Sequence, residues 1–387
     1  MDDMSKIFET YKVAIIHDWL TVFGGAEKVL EQILKIFKHA DLYTVVDFLD
    51  DRDRDFLDGR NITTTFIQSL PFAKKHYRNY ISLMPLAVEQ LDLCKYDIII
   101  SSSYAVAKGI LTGPEQLHIS YVHSPIRYAW DLQSEYLKTS GLDSGLMSWL
   151  ARWQLHKIRL WDYRTANGVD KWIANSSFIK KRIWKVYRRE ADIIYPPVNL
   201  NSFKPSKVKK DHYFTVSRLV PYKRIDLIVN AFKKMPDKEL VVIGDGPEWK
   251  NINSNLTDNI KLLGYQSSDV VEEYMRTAKA FVFAAREDFG IVPVEAQACG
   301  VPVIAYGKGG VLDTVKDGVT GIYFSEQTEE SLLDAVKLFE TKYDSFNVDD
   351  IRQHAEMFSE ERFRKILTQY VINAINNEAN RFAETTL

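Results

Sequence analysis

Cysteine is scarce in this chain, and its scarcity bears on the compartment in which the protein works. Two cysteines, Cys94 and Cys299, occur among 387 residues. Neither has a second cysteine or a histidine at the spacing of metal ligands. This pattern argues against a disulfide framework and fits a reducing cytosol, so we expect a cytoplasmic protein.

Long apolar runs are also missing. Residues 1–12 are polar and contain no apolar segment of the kind found in a signal peptide. The most apolar long stretch, residues 96–113, includes three serines and Lys108. It cannot supply the roughly 20 apolar residues of a membrane span. Any contact with a membrane is therefore expected to be peripheral.

Neither sign of charge dominates the composition. The 50 lysines and arginines nearly balance 52 acidic residues, which leaves a formal net charge of −2. This charge gives no general reason to expect nucleic-acid binding. A hydrophobic content of 46% with 26% charged residues describes a globular protein with ample core. The length suggests about two or three domains.

Short apolar runs alternate with amphipathic segments, and this alternation occurs twice. Residues 13–16 begin the pattern in the first half, and residues 213–217 begin it again in the second. Between the halves, a double proline is followed by polar, lysine-rich residues 199–211, which predict a linker. We therefore predict an α/β protein of two doubly wound domains, residues 1–198 and 212–369, with a crevice between them.

The most informative stretch is a predicted strand, turn and helix in the second half. Residues 280–285 are apolar, and a turn then leads into a helix that ends at Cys299. Glu287 precedes this helix and Glu295 lies inside it, with seven residues between them. The backbone N–H groups at residues 289–291 suit a phosphate, and the carboxylates suit sugar hydroxyls. This combination indicates a pocket for a nucleotide sugar, although an ordinary strand–helix unit with solvated glutamates has the same pattern.

A basic loop begins the second domain. Arg218 and Lys223 are five positions apart on the predicted connection from a strand to a helix. Two fixed cations suit a diphosphate, because arginine can bind it through two hydrogen bonds. From the residues alone, a solvated basic loop is equally consistent.

Two further candidates lie in the first half. Gly24 and Gly25 form a turn between the first predicted strand and the first helix, where a ligand can approach the backbone closely. The residues alone leave phosphate contact and a simple connection equally open. His123 ends a predicted strand, and such strand ends line the ligand crevice of α/β proteins. A lone histidine is, however, more often structural than catalytic.

The stretch around Glu287 resembles the signature of the family-4 glycosyltransferases, which are retaining enzymes of the GT-B architecture. The two glutamates have the family's spacing, Phe289 and Gly290 follow the first, and Ala-x-Ala-x-Gly-x-Pro-Val follows the second. The resemblance covers nearly the whole chain and is most specific over residues 213–321. It implies two facing Rossmann-like domains, with the C-terminal helix, about residues 370–387, crossing back to the first domain.

The resemblance also implies roles for individual residues. Arg218 and Lys223 would bind the donor pyrophosphate, Glu287 the sugar hydroxyls and Glu295 the ribose. The implied catalytic residues are His123, Arg218, Lys223 and Glu287, and the further donor-binding positions are Gly24, Gly25, Gly264, Tyr265, Phe289, Gly290, Ile291 and Glu295. We predict no cofactor and no metal, because the fixed cations already neutralise the phosphates.

The substrates are less closely specified by the sequence. Residues 123–131 resemble bacterial enzymes that build O-antigen and capsule chains, often mannosyltransferases that use GDP-mannose. We therefore expect GDP-mannose as donor and a saccharide or lipid-linked saccharide as acceptor, with a UDP-sugar donor as the alternative. A non-catalytic protein of the same fold is a more remote alternative. An NAD-dependent oxidoreductase is disfavoured, because the glycine fingerprint of dinucleotide-binding proteins is absent.

Two stretches bear on membrane contact. Residues 146–164 place Leu146, Trp149 and Trp153 on one side of a predicted helix with basic residues nearby, and residues 74–78 form a basic and aromatic cluster. Such a helix can lie at a membrane interface, but it can equally belong to the core. The cluster can equally be a solvated loop.

Overall fold

The computed structural model describes residues 6–385 and divides the chain into two compact units. The first unit contains the residues up to Pro196 together with those from Phe363 onward, and the second is Pro197–Arg362. Each unit contains one parallel sheet with helices around it. The predicted α/β class is thereby confirmed.

The first unit is built on a seven-stranded sheet in which every neighbouring pair is parallel. The strand order is β3-β2-β1-β4-β5-β6-β7. Its central strands are buried along their whole length, as in a sheet covered on both faces. The strands are β1 (Val13–His17), β2 (Asp41–Thr44), β3 (Ile62–Thr64), β4 (Ile98–Ser103), β5 (Leu117–Val122), β6 (Lys171–Ala174) and β7 (Asp192–Ile193).

Helices connect these strands. Those that precede the second unit are α1 (Gly25–Ile36), α2 (Ala73–His76), α3 (Met84–Glu89), α4 (Gln133–Thr139), α5 (Gly145–Thr165) and α6 (Ser177–Tyr187). Helix α6 is preceded by Ser176, whose hydroxyl accepts a hydrogen bond from the Ile179 N–H at 3.1 Å. Serine commonly caps the N-terminus of a helix in this way.

The second unit has a six-stranded parallel sheet in the order β10-β9-β8-β11-β12-β13. Its strands are β8 (His212–Val216), β9 (Glu239–Ile243), β10 (Ile260–Leu262), β11 (Ala280–Phe283), β12 (Val303–Tyr306) and β13 (Gly321–Phe324). Its helices are α7 (Ile225–Lys233), α8 (Trp249–Asn253), α9 (Ser268–Thr277), α10 (Ile291–Ala298), α11 (Val311–Thr314), α12 (Glu329–Lys342) and α13 (Val348–Ala355).

The last helix, α14 (Glu360–Thr385), returns the chain to the first unit. Phe363, Leu367, Val371 and Ala374 are buried in the same apolar cluster as strands β1 and β4. Their spacing of three or four residues places them on one side of the helix. The segment that joins the first unit therefore begins at Phe363 and not near residue 370, because the apolar pattern is continuous from that point.

The predicted linker is more ordered than its polar composition suggests. Strand β7 stops before Pro196 and Pro197, which cannot donate to a sheet. The Arg352 guanidinium then donates to the carbonyl oxygens of Leu200 at 3.2 Å and Phe203 at 2.7 Å. Residues 200–203 therefore belong to the second unit, where Arg352 holds their backbone, and do not form a free linker.

A buried ion pair joins helix α5 to the segment after β4. The Lys108 ammonium lies 2.7 Å from the Asp162 carboxylate, and the two side chains are 2% and 0% exposed. Asp162 also accepts hydrogen bonds from the Trp130 indole at 2.7 Å and the Tyr187 hydroxyl at 2.9 Å. The carboxylate therefore holds together three parts of the first unit.

Candidate functional site

The turn before α10 is shaped for a close approach to the backbone. Gly290 is the residue that precedes the helix, and its φ of +92° is one that glycine adopts readily. Gly290, at the N-cap position, has no side chain with which to cap the helix start. The N–H groups of the first turn therefore suit an anion placed beyond the helix start.

A second glycine turn supports the first. The Gly310 N–H donates to the Glu287 carbonyl oxygen at 2.8 Å. A Cβ atom at Gly310 would lie 2.3 Å from the Asp288 carbonyl oxygen, and one at Gly309 would lie 2.5 Å from that of Glu287. Neither position has room for a side chain. The close packing of this glycine turn holds the backbone of the turn that contains Glu287.

The structure brings two of the predicted site residues together. The Lys223 ammonium forms an ion pair with the Glu287 carboxylate, and these side chains are 18% and 20% exposed. Lys223 ends a short 3₁₀ helix after β8, whereas Glu287 follows β11. Strands β8 and β11 are neighbours in the sheet, so residues at their carboxyl ends meet at one edge.

Arg218 lies on the same basic loop. It is exposed, and its guanidinium has no hydrogen-bond or ion-pair partner within residues 6–385. The loop itself is tightly supported, because a Cβ atom at Gly244 would lie 1.8 Å from the Ser217 carbonyl oxygen. Arg218 is therefore a solvent-facing cation on a fixed backbone.

The predicted base-binding segment reaches the same edge of the sheet. Gly264 follows β10 with a φ of +71°, and its carbonyl oxygen accepts a hydrogen bond from the Gly244 N–H at 2.9 Å. The next side chain, Tyr265, is 83% exposed. An exposed aromatic ring beside a fixed backbone can stack on a nucleobase.

Two predicted donor-binding residues are less accessible. Phe289 is buried and packs edge-on against Phe358, with ring centroids 5.6 Å apart. Its side chain belongs to the core, so the Phe289 backbone is the part suited to a ligand. Glu295 is half-buried in the middle of α10.

In the first unit, His123 follows β5 and contacts the end of β4. Its Nε2 lies 2.9 Å from the Ser102 hydroxyl. Burial, together with the nearby His17 and Arg127, lowers the pKa of His123 to about 3. The imidazole is therefore neutral near pH 7.

The sequence analysis did not assign three residues that the structure connects to His123. Ser102 also contacts Nδ1 of His17 at 3.1 Å, and Nε2 of His17 contacts the Glu27 carboxylate at 3.3 Å. His17 is the last residue of β1 and Ser102 the next-to-last of the neighbouring strand β4, and the two are direct partners in the register. Inspection of every strand end, and not only that of β5, would have identified them.

The predicted glycine loop joins this group through Glu27. Gly24 precedes helix α1, and its N–H donates to the second Glu27 oxygen at 2.9 Å. Gly25 is the first, exposed residue of the helix. Glu27 therefore both caps the helix and contacts His17.

Asp18 is a further buried carboxylate that the sequence analysis left unassigned. It accepts four backbone hydrogen bonds, from the N–H groups of Tyr104, Ala105, Val106 and Ala107, at 2.5 to 2.8 Å. Burial raises the pKa of Asp18, while the N–H groups of Tyr104, Ala107 and Val106 and the nearby His17 oppose the shift. Its contacts hold the loop that follows Ser102 and Ser103.

Two sequence families match the chain and together span most of it. The family described as "Glycosyltransferase Family 4" matches residues 23–202, and that described as "Glycosyl transferases group 1" matches residues 199–356. The chain belongs to the family-4 glycosyltransferases.

Curated relatives of this family-4 chain match only part of its length. An uncharacterized glycosyltransferase of Methanocaldococcus jannaschii is 34% identical over 181 residues, which is 45% of this chain and 50% of the relative. A D-inositol 3-phosphate glycosyltransferase of a Mycobacterium species is 27% identical over 186 residues, 41% of this chain and 42% of the relative. The chain thus spans half or less of the length of these relatives.

Solved structures share the fold over nearly the whole chain. HepE of Anabaena, solved in complex with UDP, matches with a TM-score of 0.68 over 94% of this chain and 100% of HepE. The sequences are 17% identical, so the likeness shows the shared GT-B fold alone.

The predicted site residues of this family-4 chain lie in two groups. Gly24, Gly25 and His123 belong to the first unit, and the others belong to the second. Among residues 6–385, no group of three or more His, Cys, Asp or Glu side chains is placed to hold a metal ion. In the same part of the chain, no helix combines the length and apolarity needed to cross a membrane.

Proposed function

We propose that this protein is a retaining glycosyltransferase that moves a sugar from a nucleotide diphosphate sugar to a saccharide or lipid-linked saccharide. Its place would be the synthesis of bacterial surface polysaccharides, at the cytoplasmic leaflet. The observation that carries this proposal is the meeting of Lys223 with Glu287 beside the start of α10. One position thereby offers a cation, a carboxylate and backbone N–H groups, which suit a ligand with both phosphates and hydroxyls.

In this proposal the chemistry is electrostatic. Cleavage of the bond to the sugar leaves negative charge on the β-phosphate of the nucleotide. Arg218, Lys223 and the N-terminus of α10 stabilise that charge as it develops, which lowers the barrier without a metal ion. The departing phosphate takes the proton of the acceptor hydroxyl, so no base on the protein is needed.

The remaining residues orient the sugar. Glu287 accepts hydrogen bonds from sugar hydroxyls, and Glu295 from the ribose. A bound donor exchanges the ion pair between Lys223 and Glu287 for separate contacts, the ammonium to phosphate and the carboxylate to hydroxyls. His123 contacts the sugar or the acceptor.

The proposed donor is GDP-mannose, which rests on the resemblance of residues 123–131 to O-antigen and capsule enzymes. HepE, which shares the fold, has been solved with UDP, so a UDP-sugar is the alternative. The backbone around Gly264 is the expected contact of the base, and backbone contacts discriminate bases weakly. The donor must therefore be decided by measurement.

Nucleotide binding is the first test. We expect GDP at 100 times its Kd to stabilise the protein by roughly 2.7 kcal/mol, visible as a raised midpoint of thermal unfolding. Separate samples contain GDP, UDP, ADP or NAD⁺, all with EDTA. A shift with UDP alone would replace GDP-mannose by a UDP-sugar. A shift with NAD⁺ alone, or with none of the four, would overturn the proposed donor site.

Helix α5 supports the proposed membrane contact. Leu146, Trp149 and Trp153 are 74%, 63% and 51% exposed. These residues share one side of the helix, so this side does not pack in the core. The Lys157 ammonium lies 5.7 Å from the centre of the Trp153 ring. Exposed tryptophans beside basic residues are typical of helices that lie on an anionic membrane surface.

The double substitution Trp149→Ala/Trp153→Ala is expected to weaken binding to vesicles that contain anionic lipid by at least about tenfold. Each buried large side chain contributes about 2 kcal/mol, and 1.4 kcal/mol corresponds to tenfold. Co-sedimentation with vesicles measures the effect. The control is Trp184→Ala, which removes a 48% exposed tryptophan from α6. Equal binding of the control and the double variant would contradict a contact made by α5.

A further inference from the structure

Four side chains in the first unit form one continuous chain of hydrogen bonds, which we call the Ser102 relay. It runs from the Glu27 carboxylate to Nε2 of His17 at 3.3 Å, and from Nδ1 of His17 to the Ser102 hydroxyl at 3.1 Å. The hydroxyl then contacts Nε2 of His123 at 2.9 Å. Glu27 is 5% exposed, and His17 and Ser102 are 0% exposed. Water therefore does not compete for these contacts.

The direction of each hydrogen bond in the relay follows from its first member, Glu27. A carboxylate can only accept hydrogen bonds, so Nε2 of His17 carries a proton and donates to Glu27. In a neutral imidazole the other nitrogen, Nδ1, is then an acceptor. The single hydroxyl proton of Ser102 points to Nδ1 of His17. The Ser102 oxygen is left to accept, so His123 donates to it from Nε2.

These directions determine whether Nδ1 of His123 is a hydrogen-bond donor or an acceptor for a ligand. We propose that the Ser102 relay holds His123 as the tautomer protonated on Nε2, so that Nδ1 is presented as an acceptor for a hydroxyl group of the sugar or the acceptor saccharide. The identity of the hydroxyl rests on the proposed function, whereas the tautomer does not. Glu27, His17 and Ser102 are positioning residues, which act on the ligand through His123.

The surroundings of His123 are consistent with this role. Nδ1 of His123 has no hydrogen-bond partner in the described part of the chain. This atom is not fully buried, so a ligand can reach it. Other contacts fix the backbone of His123. Its N–H donates to the Ser103 carbonyl oxygen at 2.8 Å, and its own carbonyl oxygen accepts from Asn175 at 3.0 Å. The relay therefore determines which nitrogen of His123 is protonated, whereas these other contacts hold the backbone.

Strand β4 also supplies a matched control. The neighbouring serine, Ser101, contacts Nε2 of His118 at 2.9 Å, and both residues are 0% exposed. Successive side chains of a strand point to opposite faces of the sheet. Ser101→Ala thus removes one buried serine–histidine hydrogen bond from the same strand and leaves the Ser102 relay intact.

The experiment is ¹⁵N NMR of the histidine side chains near pH 7, with the His123 signals assigned by their loss in His123→Gln. We expect the unmodified protein to show His123 protonated on Nε2. Ser102→Ala should shift the His123 nitrogens toward a mixture of tautomers, and Ser102→Thr should restore them. Ser101→Ala should change the His118 signals alone. Should Ser102→Ala fail to fold, Glu27→Gln removes the carboxylate while keeping the size of the side chain.

Turnover provides the second measurement. Ser102→Ala should lower kcat/KM by about five- to tenfold, which corresponds to one neutral hydrogen bond, and Ser101→Ala should not. A His123 signal protonated on Nδ1 in the unmodified protein would overturn the relay, as would a His123 spectrum unchanged by Ser102→Ala. The expected tautomer without any nucleotide binding would retain the relay and reject the proposed function. Nucleotide binding with the opposite tautomer would do the reverse.

Discussion

Arg218→Ala is expected to lower kcat by about 10²- to 10³-fold, the effect of losing one donor that stabilises a developing oxyanion. Arg218 is suited to this role because it is exposed on a loop whose backbone is held by the glycine turn at Gly244 and Gly246. A fixed cation needs little reorganisation as charge develops on the phosphate. The loss should be larger in kcat than in nucleotide affinity, because the interaction strengthens as the bond breaks.

The control for this prediction is Arg276→Ala. Arg276 belongs to the same unit, but its guanidinium forms an ion pair with Glu273 on α9. Both substitutions change the net charge equally, so a general electrostatic effect would appear in both. Initial rates with the donor found in the nucleotide screen measure the difference. A decrease of less than about tenfold for Arg218→Ala, or equal decreases for the two variants, would remove Arg218 from the proposed mechanism.

Lys108→Met is expected to lower the free energy of unfolding by about 3–5 kcal/mol, because it leaves the carboxylate of Asp162 buried without its cation. The pair is 2% and 0% exposed, and the Lys108 ammonium also donates to the Thr165 hydroxyl at 3.2 Å. Methionine has nearly the length of lysine, so the packing of the chain changes little. Urea denaturation measures the effect, with the free energy extrapolated to water.

Lys35→Met is the matched control. Its ammonium lies 2.7 Å from Glu31 on helix α1, but the side chains are 48% and 22% exposed. Removal of an exposed pair of this kind should change stability by less than about 0.5 kcal/mol. Equal losses in the two variants would show that the Lys108 pair does not depend on burial for its contribution.

Much of the fold could be predicted from the pattern of apolar runs. Strands β4 and β11 are short and buried and contain apolar runs, and the helix after β11 ends at Ala298, next to the expected Cys299. Periodicity does not, however, indicate what an apolar face contacts. The apolar side of α5 was equally consistent with a core helix, whereas the structure leaves Trp149 and Trp153 exposed.

The candidate site could be predicted where its residues are close in sequence. Glu287, Gly290 and Glu295 share one short motif. The contact between Lys223 and Glu287 joins residues 64 positions apart, and it depends on β8 and β11 being neighbours. The Ser102 relay likewise requires the order β1-β4-β5 and the register that pairs His17 with Ser102. The sequence of a single strand does not reveal its neighbours in the sheet, so neither contact could be predicted from the sequence.

The return of α14 to the first unit has a consequence for biosynthesis. Phe363, Leu367 and Val371 complete an apolar cluster whose other members come mostly from the first 200 residues. A ribosome synthesises the whole of the second unit before it reaches these side chains. The second unit can therefore fold on the nascent chain as a continuous segment, whereas part of the interior of the first unit stays uncovered until residues 363–374 have been synthesised.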